Sequence, residues 1–304
     1  MNPAFSVILF TTLSGAGYGL LAWLGLHYAW HPLPSHRWTA MIPFGVGLAL
    51  TTIGLSSSVF HLGKPLRAWR AFSQWRTSWL SREGVISLSA YAPALLLGWL
   101  VWHGESDILS RLAAIALTAT SFATVACTAM IYVSLKPVPA WGHRLVLPGY
   151  LLFAMLNGWL LLACTASRAP MWGLLGSVLW AVVLAIVKHR YWKDIDQLTL
   201  SSREAATALE GFGKVATFER PHTEANYLTR EMGFVLARKH SRKLRAIALL
   251  LFCGCPLLAL LIAILLPALA ATALWFAAIA ALAGALVERW LFFAEATHMV
   301  TLYY

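Results

Sequence analysis

At 304 residues, 60% of them hydrophobic and 12% charged, with a mean hydropathy of +0.70, the chain falls outside the water-soluble globular class, in which roughly 45 to 50% of residues are apolar and about 25% charged. The formal net charge of +11 does not point to nucleic acid, because no soluble basic domain is present to carry such an interface. The composition requires a chain that mostly faces lipid or other spans, and eight spans of about 20 residues plus loops fill residues 1–304 as one membrane domain.

In chain order, the stretches long and apolar enough to cross about 30 Å of hydrocarbon run from Ser6 to Trp30, Thr39 to Phe60, Gly84 to Trp102, Leu112 to Leu135, Leu145 to Thr165, Met171 to Val187, Ala246 to Leu266 and Leu269 to Ala294. The sixth is short and the fifth contains Pro148. Lipid offers backbone amides no outside partner, and the stretches lack the alternation of a membrane barrel, so the predicted fold is an all-α bundle of eight transmembrane helices. Met1-Asn2-Pro3-Ala4-Phe5 carries no basic region and the first stretch no clear cleavage signal; it reads as a retained span.

Alternate connections differ sharply in charge. Twenty of the 23 Lys and Arg lie in the Lys64 to Arg82, Lys136 to Arg144 and Lys188 to Arg245 connections and at Arg289, whereas Arg37, Arg111 and Arg168 alone fall on the other side. Positive charge accumulates in cytoplasmic loops, which predicts that the charged face and both termini are cytoplasmic. The outer connections are short. The Lys188 to Arg245 segment is the one large soluble piece, turning at Gly211-Phe212-Gly213 and Pro221. It ends in a predicted helix, Glu224 to Arg245, with Tyr227, Glu231, Phe234 and Arg238 at steps of three and four. That segment is the expected docking surface for a soluble subunit, and a basic helix resting on lipid headgroups is the alternative. Cys127, Cys164, Cys253 and Cys255 fall inside spans without the spacing of a metal or iron-sulfur site, and read as packing residues; no metal site is predicted.

The first charged connection carries the chemistry. His61 closes the second span and Glu83 opens the third, which places an imidazole and a carboxylate at one depth among Arg67, Arg82 and tryptophans that include Trp69. A quinone site needs an apolar slot, a donor to each carbonyl and groups that relay protons, and this loop contains all three. Histidine also changes charge near neutral pH. The same residues suit an interfacial tryptophan belt with ordinary positive-inside arginines. A transporter would instead place polar groups at the midplane on broken helices, and a b-type cytochrome would need paired histidines deep in facing spans. Here the histidines lie near span ends, so haem b is not favoured and could sit only at an edge.

The run Phe60-His61-Leu62-Gly63-Lys64-Pro65-Leu66-Arg67-Ala68-Trp69-Arg70, followed by Ser78-Trp79-Leu80-Ser81-Arg82-Glu83, resembles the signature of the membrane-anchor subunits of dimethyl sulfoxide reductase-type molybdoenzymes. Further echoes are Phe10-Thr11-Thr12 with Gly15 and Gly17, the Ile131-Tyr132 to Lys136-Pro137 stretch, and Arg289 to His298, which span the chain. The resemblance implies an anchor that holds an iron-sulfur subunit and a molybdopterin catalytic subunit and exchanges electrons with ubiquinone or menaquinone in a bacterial inner membrane. It further implies that His61 hydrogen-bonds one quinone carbonyl, Glu83 passes protons, and Arg67 stabilises semiquinone or orients Glu83, with Trp69 and Arg82 beside them. Glu295 and His298 form a second-rank candidate pair. Because the loop is expected inside, the partner subunits should be cytoplasmic. That fits the anchor of a cytoplasm-facing sulfite dehydrogenase, with a quinol-oxidising sulfoxide or oxyanion reductase as the alternative.

Overall fold

The computed structural model describes residues 4–31, 37–60, 64–104, 107–165, 171–198, 202–219 and 236–302. Among these residues there are helices and turns but no strands, and eight helical segments are long and apolar enough to cross a membrane. They are built from α1 (Phe5–Trp30), α2 (Arg37–Val59), α3 (Trp79–Ser89) running into α4 (Tyr91–His103), α5 (Ile108–Val133), α6 (Val146–Thr165) and α7 (Met171–Asp196). After a short α8 (Arg203–Ala206), α9 (Leu236–Leu249) continues through a π turn, Leu250–Gly254, into α10 (Cys255–Leu265), and α11 (Ala270–Ala294) closes the set.

The first span is the hub, with α2, α5, α6 and α11 packed around it. Hydrocarbon gives two apolar helices no hydrophobic reason to associate, so their contact depends on close van der Waals packing between small residues. Gly19 and Gly158 supply it where α1 crosses α6: a Cβ on Gly19 would lie 1.9 Å from the Ala154 carbonyl oxygen, and one on Gly158 would lie 2.1 Å from the Gly19 carbonyl carbon. Any side chain at either position would force the two helices apart. Two apolar clusters result, one centred on α1 with α2, α4 and α5, the other between α6, α7, α10 and α11.

Several boundaries differ from the sequence expectation, each for a local reason. The third span begins at Trp79 rather than Gly84, because Ser78 caps it by accepting the Ser81 amide at 3.5 Å. It also breaks at Ala90, three residues before Pro93, whose ring nitrogen cannot donate to the preceding turn. The sixth span is not short: α7 runs on to Asp196, carrying Lys188 to Asp196 as helix. Pro148 lies in the first turn of α6, where a missing amide hydrogen costs nothing. The seventh span starts in the basic stretch from Leu236, and its π turn ends two residues before Pro256. Residues 224–235, and with them Tyr227, Glu231 and Phe234, lie outside the described residues.

The basic connections meet at one end of the bundle. The Met299 amide donates to the Pro137 carbonyl at 2.9 Å, Arg203 Nε to the Leu302 carbonyl at 2.7 Å, and His143 Nε2 lies 3.1 Å from Asp194 Oδ2. The chain enters α1 and leaves α11 at this same end, as eight crossings require.

Candidate functional site

Between α2 and α3 the chain lies along that end as a 3-10 helix, Pro65–Gln74, which has no buried residue of its own. It is fastened to α3 rather than packed into the core. Ser81 Oγ donates to the Ala71 carbonyl, and the Arg82 guanidinium donates to the carbonyls of Trp75 at 3.1 Å and Arg76 at 2.6 Å. Arg82 also rests over the Trp79 ring at 4.3 Å. Phe72 lies against Gly84, where a Cβ would meet its ring at 2.9 Å.

The loop helix roofs a cavity of about 780 Å³. Its walls come from Val7 and Phe10 of α1, Leu55 and Val59 of α2, Leu80 and Leu88 of α3, and, from far along the chain, Tyr132, Trp141 and Phe293. Lys64 and Arg67 reach it from the exposed loop, and Glu83, 5% exposed, reaches it from the second turn of α3. Thr128 of α5 donates to Glu83 Oε1 at 2.6 Å and holds the carboxyl in place. The Trp141 indole donates to the Phe292 carbonyl at 3.0 Å, and Tyr132 packs edge-on against Trp141 and Phe293 at 5.5 and 5.1 Å. The result is a deep apolar slot with two cations at its exposed side and one buried carboxyl.

Of the residues the sequence singled out, the structure brings Arg67 and Glu83 to one cavity; no ion pair joins them among the described residues. Trp69 is 66% exposed, is stacked against Arg70 and does not line the cavity. Arg82 holds the roof rather than lining the slot. His61 lies outside the described residues. Glu295 and His298 do not pair with each other. Glu295 is bound by Arg245 Nε at 3.0 Å, and His298 Nδ1 accepts the Val300 amide at 3.0 Å. Burial pushes the Glu295 carboxyl up, against the pull of Arg245, and pushes the His298 imidazole down.

The sequence reading missed Lys64, Thr128, Tyr132, Trp141 and Phe293. Lys64, Tyr132 and Phe293 stood in motifs already noticed. Nothing local distinguishes Thr128 or Trp141 from the other polar and aromatic residues of the chain.

A slot of this size, apolar along its length and polar at one end, suits an apolar ligand with a polar head. The eight long apolar helices define a multi-pass membrane protein. The model of the DMSO reductase anchor subunit (DmsC) family matches residues 1–294, and the chain belongs to that family. It is 32% identical to a sulfite dehydrogenase subunit from Allochromatium vinosum over 337 aligned positions, covering 100% of this chain and 99% of that protein. No solved structure matches the chain.

Proposed function

We propose that this chain is the quinone-binding membrane anchor of a molybdenum and iron-sulfur enzyme, and that it passes electrons from sulfite oxidation to membrane quinone. The observation that carries the reading is the slot itself, where Glu83 is buried at the wall and Arg67 and Lys64 stand on the exposed side. The full-length likeness to a sulfite dehydrogenase subunit supports sulfite as the electron source. The family match also suits a quinol-oxidising sulfoxide reductase, which is the second reading.

A bound quinone supplies two-electron, two-proton chemistry at its paired carbonyls. Within the slot, Arg67 and Lys64 would hold the polar end of the ring by donating charged hydrogen bonds. His61 lies outside the described residues, and the role of donating to a carbonyl is assigned to it on the family motif alone. Glu83 would hold and release the protons this chemistry needs, while Thr128 keeps Oε1 fixed. The apolar walls keep bulk water away from the reacting oxygens. Trp69 and Arg82 act at one remove, by shaping the loop that roofs the site.

With twenty Lys and Arg on the loop side and three on the other, this end, both termini and the 188–245 segment face the cytoplasm of a bacterial inner membrane. The iron-sulfur and molybdopterin subunits dock there, on the loop helix and the 188–245 segment. A cysteine introduced at Lys214 is therefore expected to react with an impermeant thiol reagent only after the cells are opened. Labelling in intact cells would reverse the orientation and the position of the partners. For the reaction, membranes containing the chain with its partners should reduce quinone when sulfite is added. Quinol-dependent sulfoxide reduction without sulfite activity would select the second reading.

A further inference from the structure

The far side of Thr128 opens on a second feature that the quinone slot does not use. Enclosed between α1, α5, α6 and α11 is a small pocket of about 10 Å³, lined by Thr12, Thr128, Tyr150, Asn157 and Arg289, which is room for roughly one water. Thr12, Tyr150 and Asn157 are 4%, 3% and 3% exposed, and Thr12 Oγ1, Tyr150 Oη and Asn157 Oδ1 have no hydrogen-bond partner in the protein. Three such atoms do not converge on one place inside an apolar bundle unless something polar joins them.

Tyr150 and Arg289 also line an adjoining pocket, together with Lys188, Tyr191 and Glu288. There Lys188 Nζ pairs with Glu288 Oε1, and Arg289 Nη1 lies 3.2 Å from Glu288 Oε2. At the end of the bundle, Arg245 bridges buried Glu295 at 3.0 Å and Asp196 at 2.7 Å, and the Asp196 side chain is 60% exposed. Polar groups thus run from Glu83, through Thr128 and the small pocket, past Glu288 to the aqueous face under the ends of α7 and α11.

We propose that this run is a water-bearing proton path that recharges Glu83. It rests on the quinone reading above, and the reason for it is the three unpartnered oxygens in the small pocket beside Thr128, which is itself hydrogen-bonded to Glu83. Reducing one quinone to quinol takes two electrons, delivered by the iron-sulfur partner, and two protons. Each proton leaves the Glu83 carboxyl for a ring oxygen. Glu83 then takes one from the Thr128 hydroxyl, Thr128 takes one from the water held by Thr12, Tyr150 and Asn157, and that water is restored from the aqueous face along the Glu288 side.

The test uses the assembled complex in native membranes, with Tyr150→Phe, which keeps the ring under Arg289 (3.5 Å to the guanidinium), and Thr12→Val, which keeps the side-chain shape. Turnover at saturating quinone is expected to fall about tenfold in each, with a larger solvent deuterium isotope effect. The affinity for a fluorescent quinol-analogue inhibitor should stay at the wild-type value. A structural role alone would leave the isotope effect unmoved. Wild-type turnover and isotope effect in both variants, with normal inhibitor binding, overturn the path and leave the quinone reading standing. Failure of the wild-type complex to bind the inhibitor overturns both.

Discussion

Glu83→Gln is expected to lower quinone turnover of the assembled complex about 100-fold or more, the usual loss when a positioned acid-base group is removed. Glutamine fills the same volume and still accepts from the Thr128 hydroxyl, which now donates at 2.6 Å to Oε1, so the slot keeps its shape. What glutamine cannot do is give and regain a proton. Assembly, inhibitor binding and the activity of the soluble partners with an artificial dye should therefore remain close to wild type. The measurement is quinone-linked against dye-linked turnover in the same membranes. Equal loss of both would indicate a folding defect, and no loss in either would remove Glu83 from the chemistry.

The second large effect concerns stability. Lys188, Glu288 and Arg289 are 5%, 0% and 4% exposed, and Glu288 is the one carboxylate that both cations touch. Glu288→Leu leaves two buried cations without their counter-ion, and removing one partner of a buried ion pair costs about 3 to 5 kcal/mol. Hydrocarbon around the bundle offers no water to soften that loss. The variant is expected to accumulate poorly and to melt well below wild type in detergent. Lys188→Met alone should be milder, because Glu288 keeps Arg289. Lys188→Met with Glu288→Leu should recover part of the loss, with a coupling of about 2 kcal/mol between the two sites. Additive effects would show that the pair contributes nothing as a pair.

The neighbouring Arg289 explains why this cluster is tolerated. Its guanidinium lies 3.5 Å from the Tyr150 ring centroid and 5.1 Å from that of Phe153, and Lys188 Nζ lies 4.1 Å from that of Tyr191. Aromatic faces take up part of each cation's field where water is absent. Around it, α7, α9 and α11 are tied by the Arg245 bridge to Asp196 and Glu295. The charged residues at this end thus fasten the last three spans to one another as well as marking a face of the membrane.

The eight spans could be read from the sequence because the property that defines them is local: a run of apolar residues long enough to cross hydrocarbon needs no knowledge of its neighbours. The asymmetry of Lys and Arg is local in the same sense, and so is the crowding of Arg67 and Glu83 into one connection between spans. The failures of local reading were also of one kind. Lys188 to Asp196 looked like loop because charge normally ends a span, yet α7 continues because Glu288, distant in sequence, satisfies Lys188, and because Tyr191 and Trp192 are buried against the bundle. Glu83 looked like the first residue of a helix at the interface. The structure places it in the second turn, buried, since Ser78 starts the helix earlier and Thr128 of α5 meets the carboxyl. The slot's far wall, made by Tyr132, Trp141 and Phe293, is assembled from three separate elements, and no spacing in the sequence links them. Hydropathy and charge along the chain determined what enters the membrane and in what order. Which polar groups survive there depended on the tertiary structure, because a buried charge or hydroxyl is stable only where packing brings it a partner from another helix.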